Sequence, residues 1–204
     1  MQFECHSGGK SASRYVLLNS GLICSMEHFN KITYEEDTCT LVINNYDLSN
    51  IDYFGVLKGK PYNGPPISNV KLYVTGTPCD LVGGPLSWLI CSDRLVQLFG
   101  RKASSDYEVF EAPLFEKNEE PVNGYKIINP VRLLPCLDIE KSVFFGKKIK
   151  KVKKWAIQRD KVPHNVHMFR VKESPYAVFI TDTLLDGLKG KGLRGIGFLR
   201  YEAV

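Results

Sequence analysis

One phrase, used twice, constrains this chain more than any other feature. Residues 85–98 align without a gap to residues 175–188, placing Pro85, Ile90, Leu95 and Leu98 opposite Pro175, Ile180, Leu185 and Leu188. Between these anchors small polar residues fall opposite one another, Cys91-Ser92-Asp93 against Thr181-Asp182-Thr183. Each copy reads as a buried strand, an N-cap and a short amphipathic helix, because an apolar run is followed by Ser, Thr or Asp and then by Leu at helical spacing. Neither copy carries an evident catalytic group. The duplication points to a scaffold that presents a surface.

The flanking sequence predicts mostly strands. Ser92 caps a helix that ends near Phe99, with Gly100 as its stop, and Thr181 or Asp182 caps one that ends at Gly190-Lys191-Gly192. Strand-like runs lie at Tyr15 to Leu18, Thr38 to Ile43, Tyr53 to Leu57, Val70 to Thr75, Tyr107 to Phe115 (broken by Pro113), Tyr125 to Ile128 and Ile196 to Tyr201. Asn44 to Asp52 is turn-rich, Asn129-Pro130 bends the chain, and Leu137 to Ser142 suits one or two helical turns. The expected fold class is α+β: a sheet-dominated mixed architecture with a few short helices and the duplicated strand-to-helix unit. Gly59 to Pro66 is too rich in Pro and Gly for a helix or a central strand. We place a division there, with an N-terminal strand-rich subdomain at residues 1–69 and an α+β module at residues 70–204.

At 204 residues the chain can bury a sizeable core without staples. Its six cysteines form no CxxC pair, which predicts reduced, mostly buried thiols. No apolar run reaches the length of a membrane span, and the nearest thing to a signal peptide, Tyr15 to Met26, is broken by Asn19-Ser20-Gly21. We expect a cytoplasmic protein that does not enter membranes. Charge is uneven: residues 1–140 carry 12 Lys and Arg against 17 Asp and Glu, and residues 141–204 carry 15 against 5. Such asymmetry suits a charged partner of either sign.

The chemical constellations are incomplete. His164 and His167 have the spacing of two zinc ligands, but His6 and His28 are remote, so the reading is a loop followed by a strand and no metal. Cys91 precedes a helix N-terminus, where a thiolate is stabilised. Thr181 stands opposite it in the second copy, which makes it a small structural residue. Gly83-Gly84-Pro85 lacks the ending of a phosphate loop, and Gly190-Lys191-Gly192 follows a helix instead of opening one. We therefore expect no catalytic residues and no cofactor; a hydrolase or transferase using Cys91 or the His pair is the third choice.

Two charged features remain. Six lysines between Lys147 and Lys154, closed by Trp155, form a partly exposed strand or hairpin. They supply the alternative reading, a nucleic-acid-binding module whose affinity falls with salt. The acidic clusters Glu35-Glu36-Asp37 and Glu116 to Glu120 suit a cationic protein partner. The candidate partner-binding residues are Glu35, Glu36, Asp37, Glu116, Glu119 and Glu120.

Three stretches share their order and spacing with a known family. They are Leu72 to Asp80 with Trp88 to Leu98, Gly124 to Arg132 with Cys136-Leu137-Asp138, and His167 to Val171 through Phe179-Ile180-Thr181-Asp182 to Gly192-Leu193-Arg194-Gly195-Ile196-Gly197-Phe198. Over about residues 70–202 the chain resembles a bacterial immunity-protein family found beside polymorphic toxins, a domain of unknown function also described from myxobacterial toxin loci. The resemblance implies a protein that binds and neutralises a co-encoded toxin domain by stoichiometric inhibition. It brings no catalytic residues, and its matched positions are strand ends, caps and tight turns.

Overall fold

The computed structural model describes residues 15–17, 23–25, 28–36, 40–146 and 151–204. In chain order the strands are β1 (Tyr15–Leu17), β2 (Ile23–Ser25), β3 (His28–Tyr34), β4 (Val42–Asp47), β5 (Lys71–Thr75), β6 (Leu89–Ser92), β7 (Tyr107–Glu111), β8 (Leu114–Phe115), β9 (Tyr125–Pro130), β10 (Leu133–Leu134), β11 (Val143–Phe144), β12 (Val152–Lys154), β13 (Met168–Val171), β14 (Ser174–Thr181) and β15 (Ile196–Glu202). Helix α1 spans Asp93–Ala103 and α2 spans Asp182–Leu188. The architecture is the sheet-dominated α+β one that the strand-rich sequence predicts.

Three sheets organise the core. One has five strands in the order β10-β13-β14-β3-β15, antiparallel except where β10 joins β13. The others are β4-β5-β8 and β6-β9-β7, and β1–β2 and β11–β12 form separate pairs. Strand alternation sorts the apolar side chains into layers. Ile90 and Ile127 enter a core shared with Leu72 and Val74, whereas Cys91 and Ile128 face the two helices. On β14, Val178 and Ile180 join that helix-facing core, while Ala177 and Phe179 point the other way, into a third core with Phe29, Phe169 and Trp155. Strands from both sides of the Gly59–Pro66 segment share sheets: β4 pairs with β5, and β3 lies between β14 and β15.

Three carboxylates, two of them buried, tie the layers. Asp106 is wholly buried, accepts the backbone N–H groups of His167 (2.7 Å) and Met168 (3.1 Å), and meets Arg132 Nε at 3.3 Å. Asp80 accepts from Ser92 Oγ at 2.7 Å and from the Arg194 N–H at 2.9 Å. Asp182 accepts from the Asn30 side chain at 2.8 Å and lies near His28 and Arg200. Each satisfies donors that packing removes from water.

Both copies of the repeat form a strand, an N-cap and a helix. Ser92 accepts the Leu95 N–H and Thr181 accepts the Leu184 N–H. The structural register is therefore one residue off the gapless alignment. Thr181 matches Ser92, Leu184 matches Leu95, and Ile180 matches Cys91. Cap position and strand parity fix the correspondence more strongly than residue likeness.

Several expectations are corrected. Tyr53 to Leu57 is not a strand: Gly55–Leu57 is a 3-10 turn, started by Asp52, whose carboxylate accepts the Gly55 N–H at 2.9 Å. Of the strand expected at Thr38 to Ile43, residues 38–39 lie outside the described ones; β4 begins at Val42 and runs on to Asp47, because pairing with β5, through an irregularity between Ile43 and Asn45, overrides the turn residues. Helix α1 passes Gly100 and stops at Ala103, which is fully buried. Asn129-Pro130 stays in β9, since β6 ends its pairing at Ile128 and a ladder donor is not required of Pro130 there. His28–Tyr34, not anticipated as a strand, is an inner strand of the largest sheet. Cys91 and Cys136 are free and buried. Cys79 departs from the reduced state expected and is disulfide-bonded, burial being compatible with either state.

Candidate functional site

Of the lysine-rich segment, residues 147–150 lie outside the described ones; Lys153 and Lys154 lie on β12, which pairs antiparallel with β11, and the Phe145 N–H donates to the Lys151 carbonyl at 2.8 Å. Just beyond β12, Trp155 turns inward and meets Phe179 edge-on at 5.0 Å between ring centroids. Phe179 stacks on Phe169 at 5.9 Å, and Phe169 meets Phe29 edge-on at 5.4 Å. The hairpin is thereby fixed against the Phe179 face of the five-stranded sheet. Between them lies a groove of about 250 Å³, lined by Lys31, Phe145, Lys151, Val152, Trp155 and Tyr176 among others. Lys31 Nζ lies 5.8 Å from the Trp155 ring centre, and Lys153 Nζ lies 5.9 Å from that of Phe145. Burial lowers the Lys31 pKa below the ordinary lysine value. Phe145 and Tyr176 are more than half exposed, at 57% and 51%.

The acidic candidates stand elsewhere and in two places. Glu35 and Glu36 follow β3 and are exposed, with the Glu35 N–H donated to the Gly195 carbonyl at 3.1 Å. Asp37 lies outside the described residues. Glu116, Glu119 and Glu120 occupy an exposed turn after β8. Glu119 has a positive φ of 66° and accepts from Lys71 Nζ at 2.6 Å and Tyr73 Oη at 2.7 Å. Those bonds hold its carboxyl below the usual range, the Lys71 hydrogen bond first. The fold attaches the two clusters to different sheets, the five-stranded one and β4-β5-β8.

A model of the immunity protein family Imm11 matches residues 39–203. The chain belongs to this family. No curated protein matches it. The match reaches further toward the N-terminus than the resemblance read from the sequence, taking in β4 and the 3-10 turn at Gly55–Leu57.

In this member of the family the candidate chemical groups sit in buried or hydrogen-bonded surroundings. The Cys91 thiol has no exposed surface, and burial, with Asp80 nearby, pushes its pKa strongly up. Cys136 is likewise pushed up by burial, to about 12. Neither environment favours a thiolate. His164 Nδ1 meets Arg159 at 2.8 Å, whereas His167 Nδ1 meets Thr181 Oγ1 at 3.0 Å, so the two imidazoles hold different partners. Among the described residues no group of three or more His, Cys, Asp or Glu is placed to hold a metal ion, and no helix is long and apolar enough to cross a membrane. Arg170 is fully buried, donates from Nη1 to the Pro175 carbonyl at 2.6 Å, and has its pKa lowered by burial to about 10.

Sequence reasoning found the lysine hairpin and missed the groove beside it. Trp155 was visible as the end of the lysine run, but Lys31, Phe145 and Tyr176 sit in three separate segments. The available signal was the apolar run Val143-Phe144-Phe145 ending at Gly146: strand alternation turns only one of two adjacent aromatics inward and leaves the other at the surface.

Proposed function

We propose that this chain is an immunity protein that binds a cognate bacterial toxin domain and neutralises it by stoichiometric protein–protein inhibition. The observation that carries the reading is the family match over residues 39–203. An interface of ordinary size, roughly 1,200–2,000 Å² in total, suffices for such a complex. In this reading the chain acts by occupying the toxin and not by chemical turnover. The exposed carboxylates Glu35, Glu36, Glu116 and Glu120, with Asp37 and the Lys71-bound Glu119, speed encounter with a cationic surface of the toxin by long-range attraction. The proposed place of action is the cytoplasm of the producing cell, in which case the Cys79 disulfide forms only once the protein leaves reducing conditions.

Co-expression with the toxin-like product encoded beside its gene tests the reading. The expected result is a one-to-one complex on size exclusion and restored growth of the toxin-producing cell. Growth arrest with no complex overturns it. A second reading, nucleic-acid binding, draws on exposed Lys153 and Lys154 of β12. It requires retention on nucleic acid that weakens steeply with salt and vanishes when the lysines become glutamate.

A further inference from the structure

We propose that the groove between the β11–β12 hairpin and β14 grips the toxin by seating a carboxylate, carried on an extended acidic segment of that toxin, beside Lys31. The proposal rests on the immunity reading and names the surface and the chemistry through which it works.

Lys31 is the centre of the argument. It occupies the middle of β3, paired with Phe179 on one side and Leu199 on the other, and therefore on the sheet face that carries Phe29 and Phe179. A lysine there is removed from part of its water, and that desolvation lowers its pKa; among the described residues no carboxylate raises it. Glu173, next in sequence to the groove residue Ser174, does not line the groove; one of its carboxylate oxygens is buried and it acts on Cys136. A half-buried ammonium with no acidic neighbour favours an anion brought from outside.

The walls say what else that anion carries. Phe145 and Tyr176 are exposed at the groove, and Val143 (46% exposed) and Leu199 (50%) extend the apolar surface beyond it. Exposed aromatics around a recessed polar group are the ingredients of an interface core, and lysines at the margin supply the rim. Lys151 and Lys153 add positive charge, in a stretch of chain where residues 141–204 carry a net +10. The occupant is therefore acidic, with apolar side chains flanking the carboxylate. Trp155, which lines the groove, is packed on Phe179 and through it on Phe169 before the partner arrives, so little ordering is lost there on binding.

A polypeptide fits these features better than a nucleic acid does. Base stacking needs an open aromatic face. Trp155 is 5% exposed and Lys31 already lies over its ring. One recessed cation between apolar walls suits a single carboxylate, whereas a phosphate backbone calls for a track of cations.

The test uses the full chain with the toxin encoded beside its gene, measured by titration and by growth rescue. Three variants are compared with wild type: Lys31→Glu, the double Phe145→Ala with Tyr176→Ala, and the control Glu116→Lys with Glu120→Lys. A thermal unfolding midpoint within a few degrees of wild type shows that each is folded. The expected result is at least a ten-fold loss of affinity for Lys31→Glu and for the double alanine variant, larger than the loss for the control. Wild-type binding and rescue with both groove variants unchanged overturns the groove and leaves the immunity reading standing. No binding and no rescue by wild type overturns both. Binding of a twenty-nucleotide oligo-dT that is lost in Lys31→Glu, with toxin binding retained, assigns the groove to nucleic acid and overturns the proposal.

Discussion

The first strand-to-helix unit carries an eleven-residue helix, Asp93–Ala103, and the second a seven-residue one, Asp182–Leu188, on N-caps of matching geometry. In the first, Leu95, Leu98, Phe99 and Ala103 all face the core, and Arg101 and Lys102 stand in the last turn, where cations are favourable. In the second, Leu184 and Leu188 are buried, Gly187 stands where the first unit has Leu98, and the last turn holds no basic residue, Lys189 following as the C-cap. Caps and strands are alike; the depth of the apolar stripe differs. A duplicated unit thus gives one well-anchored helix and one short one within a single core, the shorter set directly behind β3 and β14, whose opposite face bears the Lys31 groove.

The largest expected difference lies at the structurally matched core positions Phe99 and Leu188. Phe99→Ala removes a side chain with no exposure and should cost about 3–5 kcal/mol in urea unfolding. Leu188→Ala, at the end of a shorter helix, should cost about 2 kcal/mol, the low end for a buried leucine. Equal costs would mean that the second helix is as deeply anchored as the first, and the comparison would fail.

The caps should separate less. Ser92 both caps α1 and donates to the Asp80 carboxylate, whereas Thr181 caps α2 and its hydroxyl meets the His167 ring. Ser92→Ala should therefore cost close to 2 kcal/mol and Thr181→Ala about 1 kcal/mol, read from the same unfolding curves. A larger loss at Thr181 would move the anchoring role to the second unit.

Local signals explain which parts of the fold could be read from sequence. The caps at Ser92 and Thr181, the strand at Lys71–Thr75, the hairpin around Lys151 and the closing strand Ile196–Glu202 all follow from spacing over a few residues. Strand β3 did not, because Asn30 and Lys31 interrupt its apolar alternation, and their reasons to be there are distant: Asn30 donates to Asp182, and Lys31 covers Trp155. Asp106, likewise, looks like a turn residue until β13 brings two backbone donors to it. The groove was illegible for the same cause. Its residues are scattered from Lys31 to Tyr176, and pairing of β3 with β14 is what brings them together. For a partner surface the legible signal was charge, which points to the acidic loops; of their carboxylates, Glu119 is bound to Lys71 and Tyr73 within the fold.

The smallest effect concerns two helical glycines. Gly187 is exposed, and a Cβ built there meets nothing within 4 Å; at Gly100 it meets the Tyr107 hydroxyl at 3.5 Å, an ordinary contact. Neither has a positive φ. Alanine fits both, and each replacement should stabilise by about 0.5–1 kcal/mol through the lower entropy of the unfolded chain. Gly187→Ala should give the larger rise in unfolding midpoint, since α2 is the shorter helix and no neighbour has to adjust. If Gly187→Ala instead leaves stability unchanged while Gly100→Ala raises it, the end of α2 is frayed in solution. The unequal anchoring of the two units would then be greater than their cap geometry implies.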